Sequence, residues 1–262
     1  MPDILLHLLP HVVSSLLYGV LGMHFWHTRW RETDRPLVTQ PMQPWERVAS
    51  LAALVVQGIG LYQGLFSAGG MRFSFSFALS LMLWLAVLIY WLESFHARMD
   101  GLQPMVLPLA AISALAPALF PQLRVVANAG AWGFQLHFLT AMLAYSLFTL
   151  SALHAVFMGF AERKLHQRAV TKSLTSLPPI LTMEALLFRM ILVAFCLLTV
   201  ALLSGVMFAE AIFGRAMAVD HKTLFAFASW GIFAALLLGR RVYGWRGRIA
   251  LRWTLTGFMV LL

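Results

Sequence analysis

The stretch Leu186–Met207, LLFRMILVAFCLLTVALLSGVM, decides the fold class of this chain. Its 22 residues carry one charge, Arg189, and about 20 apolar residues in an α-helix cross the hydrocarbon core of a bilayer. Similar runs recur along the 262 residues, of which only 11% are charged, against roughly 25% in a soluble domain. The runs are continuous rather than alternating, which excludes a transmembrane barrel. The sequence therefore predicts an all-α, polytopic transmembrane helical bundle with a mean hydropathy of +0.81.

We expect about eight spans in this bundle. They lie near residues 4–26, 47–67, 73–95, 104–120, 133–160, 186–207, 221–239 and 251–262. The last run would make a helix of only about 18 Å, too short to cross, so we expect it to be truncated. No small-residue cleavage site follows the first run, so we interpret it as a span and not as a signal peptide.

Basic residues are divided unequally between the two sides of the predicted bundle. Fourteen arginines and lysines lie in or beside the loops 27–46, 96–103, 161–180 and 240–250, and four lie on the opposite side. Basic loops stay cytoplasmic, so we expect the amino terminus outside. The membrane interpretation also accounts for the net charge of +9 without a nucleic-acid partner.

Motif-like residues concentrate in the second half of the chain. We therefore predict two domains, an N-terminal membrane-span half over 1–131 and a second membrane domain over 132–262. Cys196 is the only cysteine, so the chain has no CxxCH motif for covalent haem. It also has no Ser/His/Asp set, paired carboxylates or P-loop, and we do not expect an enzyme. Whether it assists a haem-ligation complex stays open.

The fifth predicted span opens with a candidate ligand site, Trp132-Gly-Phe-Gln-Leu-His137. Below the histidine, four residues recur at helical spacing, namely Ala141, Ala144, Tyr145 and Phe148. Small residues let another helix or a flat ligand approach closely. A neutral imidazole ligates iron, and an apolar aromatic pocket suits a porphyrin. A histidine packed in an interfacial aromatic belt gives the same pattern without a ligand, so both interpretations stay open on the residues alone.

The predicted outer loop 207–222 supplies a second set of candidates. Its apolar residues suit a short amphipathic helix on the outer leaflet, and they are Phe208, Ile212, Phe213, Met217 and Val219. Asp220 is placed to cap the helix that begins at His221. Under the predicted orientation His221 and His137 lie at the same outer depth, so we consider them as a pair of ligands.

Three blocks within residues 132–262 resemble the cytochrome c assembly family, of the CcsA and CcmC type. The blocks are Leu136-His137 with Ala144-Tyr145-Ser146, then Leu177-Pro178-Pro179 with Thr182-Met183-Glu184, then Ser204-Gly205 through Asp220-His221-Lys222. The stretch Gly244-Trp-Arg-Gly-Arg248 is similar to the inner-membrane branch known as YpjD.

The resemblance implies haem b at the outer face of the bacterial inner membrane, held by histidines beside a tryptophan-rich loop and presented to apocytochrome. His137 matches the family's first outer histidine. His221 stands where the family has a proline, so its proposed role as the second ligand rests on its position in this chain. Phenylalanine, methionine and valine replace the loop's tryptophans. The expected haem site comprises His137 and His221 on the iron, with Trp132, Tyr145, Phe208 and Phe213 around it.

Two classes of function follow. The first is haem binding or handling during cytochrome c biogenesis, with membrane lipid, haem and another membrane or periplasmic assembly protein as partners. The alternative is a haem-free accessory membrane subunit that stabilises or regulates a transporter, which the missing tryptophans favour. A transporter in its own right is the weakest hypothesis, because Gln57 and Gln63 are too little for an ion path.

Four other polar positions carry expectations. His7 and His11 share a polar face of the first span, which should point into the bundle. We expect His154 near the cytoplasmic interface, and Glu184 near a turn, solvated there.

Overall fold

The computed structural model describes residues 2–31, 42–66, 71–95, 101–121, 124–125, 129–168, 180–213 and 221–262. Within these ranges, it describes the backbone but not the side chains of residues 2–7, 31, 124, 164–168, 180 and 208–213.

Eight α-helices account for nearly all of the described chain. They are α1 (Pro2–Phe25), α2 (Pro44–Leu65), α3 (Phe75–Glu93), α4 (Gln103–Leu119), α5 (Trp132–Arg168), α6 (Ile180–Phe213), α7 (His221–Tyr243) and α8 (Arg248–Leu261). A π-helical segment, Trp26–Arg31, continues α1, and two short strands, β1 (Arg72–Phe73) and β2 (Arg124–Val125), pair antiparallel. The predicted all-α polytopic bundle is confirmed.

Six of the eight helices are long and apolar enough to cross a membrane, namely α1, α2, α3, α5, α6 and α7. The 17-residue α4 and the 14-residue α8 are shorter. All eight predicted apolar runs therefore form helices, and six meet the length that a span requires. The chain is a multi-pass membrane protein.

Helix α6 is longer than predicted at both ends. It begins at Ile180 and continues to Phe213, so residues 207–213 extend the span instead of starting a separate surface helix. The prediction was wrong over this part because residues 207–213 contain no glycine or proline that would end the helix. Residues 214–220, which include the rest of the predicted surface helix and Asp220, lie outside the described residues.

The described helices form two compact units, α1–α4 and α5–α8, with the boundary near residue 127. In the first unit, α1 packs against α2 and α4, and α3 packs against the same two helices. His11 on α1 is buried together with Ser14 and Tyr18, which confirms the predicted inward face for His11. The side chain of His7 lies outside the described part of the chain.

A buried carboxylate ties the start of α2 to the end of α1. Glu46 caps its own helix by accepting from the backbone nitrogen of Gln43 at 2.7 Å. It also lies 2.9 Å from His24 Nε2 and 3.2 Å from Arg29 Nη2. Because Glu46 is only 1% exposed, these contacts are needed to offset the cost of burying its charge.

The four helices of the second unit close into a ring. Helix α5 contacts α6 and α8, and α7 contacts the same two helices. Across the ring, Phe148 of α5 stacks on Phe233 of α7 with ring centroids 4.0 Å apart, and both rings are fully buried. Hydrogen bonds join neighbouring helices where small polar side chains meet, as from Ser229 Oγ to the carbonyl of Gly257 at 2.9 Å.

Candidate functional site

His137 lies in the second turn of α5 and docks on α6. Its Nδ1 is 2.9 Å from the carbonyl oxygen of Ala201 and 3.3 Å from Ser204 Oγ. A carbonyl oxygen only accepts, so Nδ1 carries the hydrogen and donates it. The Ser204 hydroxyl donates to the same carbonyl at 3.0 Å. The imidazole is therefore held by groups of the facing helix.

A glycine on α6 makes this close docking possible. A Cβ added to Gly205 would lie 3.1 Å from His137 Cε1 and 3.3 Å from Nδ1. The ring thus rests against the α6 backbone at the Ser204-Gly205 pair. The sequence analysis placed His137 and Ser204-Gly205 in separate blocks and did not predict that they touch.

The hydrogen bond to Ala201 determines which imidazole nitrogen is available to a ligand. In a neutral imidazole with hydrogen on Nδ1, the lone pair lies on Nε2. The His137 side chain is half-buried, so it is not sealed within the ring of helices. Metal-ligating histidines usually donate their other ring N–H to a carboxylate, a backbone carbonyl or water, and His137 donates to a backbone carbonyl.

Aromatic residues precede and follow His137 along α5. Phe134 and Phe138 stack with centroids 5.9 Å apart, and Trp132 at the start of the helix is 69% exposed. Tyr145, two turns further along, is half-buried. Ala144 beside it is fully buried. Three of the predicted site residues, Trp132, His137 and Tyr145, therefore follow one another along α5.

The remaining predicted site residues are placed differently. His221 begins α7 and is exposed, and α7 is the helix opposite α5 in the ring. The described residues include no group of three or more His, Cys, Asp or Glu suited to a metal ion. Phe208 and Phe213 belong to the last turns of α6, beyond Gly205, and their side chains lie outside the described residues. Joint ligation by the two histidines stays a prediction.

Two polar residues, one further along α5 and one near the start of α6, are buried, and the sequence analysis missed this burial. His154 is 2% exposed, and its Nε2 donates to the carbonyl of Met183 at 3.0 Å. The sequence analysis did not predict this burial, which arises because His154 packs against the start of α6. The only sequence feature that pointed to this region was the resemblance of Thr182-Met183-Glu184 to the family's second block.

Glu184 was misplaced by the sequence analysis. It is 5% exposed rather than solvated, and Arg246 Nε lies 3.9 Å from its carboxylate. The Arg240 guanidinium stacks 3.7 Å from the ring centroid of Phe188, on the same stretch of α6. The glutamate is buried because α6 begins at Ile180, which makes Glu184 part of the packed helix instead of a turn.

Comparison with known proteins identifies the family. The family model described as cytochrome C assembly protein matches residues 45–262, which extends the predicted likeness over most of the first half as well. The cytochrome c biogenesis protein CcsA of Prochlorococcus marinus (strain AS9601) is 41% identical over 80 residues, covering 30% of this chain and 26% of the relative.

Two relatives match over a longer part. An uncharacterized 28.8 kDa protein of Azospirillum brasilense, from a nifR3-like 5' region, is 29% identical over 163 residues, covering 61% of this chain and 60% of its own. The inner membrane protein YpjD of Escherichia coli (strain K12) is 22% identical over 160 residues, with the same two shares. The matches thus span about 60% or less of the length of these relatives.

No solved structure matches the chain. The predicted resemblance is confirmed by the family match, which covers far more than half of the residues, and by relatives of both the CcsA and the YpjD kind. This chain belongs to the cytochrome c assembly protein family.

Proposed function

We propose that this protein binds haem b at the outer face of the bacterial inner membrane during cytochrome c biogenesis, with His137 as an axial ligand. Family membership supports this role, and a similar protein, CcsA, is named for cytochrome c biogenesis. The observation that carries the proposal is the bond from His137 Nδ1 to the Ala201 carbonyl, because it directs the lone pair to Nε2.

The residues around His137 fit a porphyrin in chemical character. The Ala201 carbonyl, which accepts from Nδ1, orients the imidazole ring and makes Nε2 a stronger ligand for a metal ion. Phe134 and Phe138 offer aromatic surface on the same turns of α5, and Trp132 and Tyr145 lie before and after them along that helix. Since the chain has no CxxCH motif, haem at this site is held without covalent attachment to such a motif.

The second axial ligand is His221 or a residue of a partner assembly protein. His221 is exposed at the first position of α7, where an incoming group can reach it. In this role the chain positions haem and does not itself catalyse a reaction. The positive-inside rule predicts an outer amino terminus, and with that orientation both histidines would lie at the outer face, where the family resemblance implies that haem is presented to apocytochrome.

The absorption spectrum of the protein in mild detergent, oxidised and then reduced, tests the proposal. We expect a Soret band and sharp reduced bands that are lost in His137→Ala and restored by added imidazole, which occupies the vacated position. His27→Ala, which removes an exposed histidine from the other unit, should keep the full spectrum. A full haem spectrum in well-folded His137→Ala would refute this ligand. A wild-type protein that stays colourless after haem is added would favour the haem-free accessory subunit.

A further inference from the structure

A cleft of about 430 Å³ lies between α5 and α8, near Arg163 and away from the His137 end of α5. Its apolar surface comes from Val156 and Gly159 on α5 and from Leu251 and Leu255 on α8. A Cβ added to Gly159 would make only an ordinary contact with Leu251, at 3.9 Å, so there is room beside this glycine. The cleft is therefore open space bordered by hydrocarbon side chains.

Three arginines line the polar end of this cleft, namely Arg163, Arg248 and Arg252. Glu162 is the one carboxylate among the lining residues, and Arg248 Nε donates to it at 3.0 Å. Arg163 and Arg252 are exposed and have no hydrogen-bond or ion-pair partner within the described part of the chain. After Glu162 neutralises Arg248, the polar end keeps two positive charges.

We propose that this cleft binds an anionic phospholipid, with the headgroup phosphate on Arg163 and Arg252 and an acyl chain along the apolar surface. Guanidinium groups bind phosphate through paired N–H donors, and basic pockets between transmembrane helices on the cytoplasmic side hold anionic headgroups. The basic-loop distribution predicts that this end of α5 and α8 faces the cytoplasm. The apolar surface favours a lipid over a free anion, because inorganic phosphate has nothing to place against Val156, Leu251 and Leu255.

Native mass spectrometry of the protein in mild detergent tests the site with dioleoylphosphatidylglycerol as the probe. Dioleoylphosphatidylcholine, which has the same chains and no net charge, is the lipid control. We expect selective retention of phosphatidylglycerol, with about fivefold weaker binding for each of Arg163→Gln and Arg252→Gln. Arg241→Gln removes an exposed arginine at the end of α7, outside the cleft, and should leave retention unchanged.

Gly159→Leu tests the cleft without altering its charges. Leucine fills the space beside Leu251 and favours the helix, so the variant should fold and lose the lipid. Equal retention of the two lipids, unchanged retention in Gly159→Leu, or an equal loss in Arg241→Gln would each overturn the proposal. Displacement of the lipid by inorganic phosphate at similar concentration would instead identify a free-anion site and overturn the lipid assignment.

Discussion

His137 donates its Nδ1 hydrogen to the carbonyl of Ala201, a residue 64 positions further along the chain, at 2.9 Å. The same Nδ1 lies 3.3 Å from Ser204 Oγ, and this second contact joins the first and third of the sequence blocks that resemble the family. It also explains why a glycine follows Ser204, since a larger residue at 205 would push the imidazole from its acceptor. The proposed ligand is therefore set by the α5–α6 interface and not by α5 alone.

Gly205→Val should weaken haem binding more than tenfold while leaving His137 in the chain. The added methyl groups would enter the space occupied by the imidazole, where even a Cβ lies 3.1 Å from Cε1. Haem titration of the purified variant measures the effect. Gly231→Val on α7 is the matched control, because nothing lies within 4 Å of a Cβ at that glycine. Equal affinity in both variants would show that His137 does not need the α6 surface.

Phe148→Ala should destabilise the second unit by about 3 kcal/mol, since it removes a fully buried ring stacked on Phe233 and leaves a cavity. Lipid is as apolar as the interior, so the loss arises from packing and not from transfer to water. Thermal unfolding in detergent would report it. Leu139→Ala, at a position 55% exposed, should change the unfolding temperature little. A small effect of Phe148→Ala would mean that the stack contributes nothing to holding the ring together.

Glu46→Ala should destabilise the first unit by about 3 kcal/mol, because Arg29 would keep a charge on a side chain that is only 5% exposed. The check is a double-variant cycle in thermal unfolding. Replacing both partners, as Arg29→Met with Glu46→Leu, should recover part of the loss. Strictly additive effects would indicate that the two side chains stabilise the fold independently.

The predicted orientation can be checked by labelling with a membrane-impermeant maleimide. In a Cys196→Ala background, which removes the only native thiol, Gly130→Cys should label in intact cells. Arg241→Cys should label only after the membrane is permeabilised, since the basic loops are predicted to be cytoplasmic. Both positions are exposed in the structure. The reverse pattern would place His137 at the cytoplasmic face and contradict the proposed outer haem site.

The helices were predictable because lipid imposes a length and a composition that the sequence displays directly. Which helices pack against one another was not predictable. The spans are apolar on nearly all sides, so periodicity does not show which face meets which neighbour. The burial of His154 and Glu184 was not predicted for this reason, because it depends on which part of the chain packs against each side chain. The pairing of His24 with Glu46 joins two helices across a loop and has no local signal either.

Within the candidate site, the resemblance pointed to His137, and the geometry added its tautomer. Neither Ala201 nor the close approach at Gly205 could be deduced from spacing, because both depend on the register between α5 and α6. His221 was paired with His137 only by its predicted depth, and their joint ligation stays a prediction.

The stacked rings of Phe148 and Phe233 close the middle of the ring that helices α5–α8 form. They lie about 16 Å beyond His137 along α5, at 1.5 Å per residue, and no part of either ring is exposed. A flat molecule the size of a porphyrin therefore has no straight passage down the middle of α5–α8. A ligand at His137 therefore has to enter and leave between the helices or from the end of the unit at which His137 lies. The second unit provides a binding surface and not a channel through its middle.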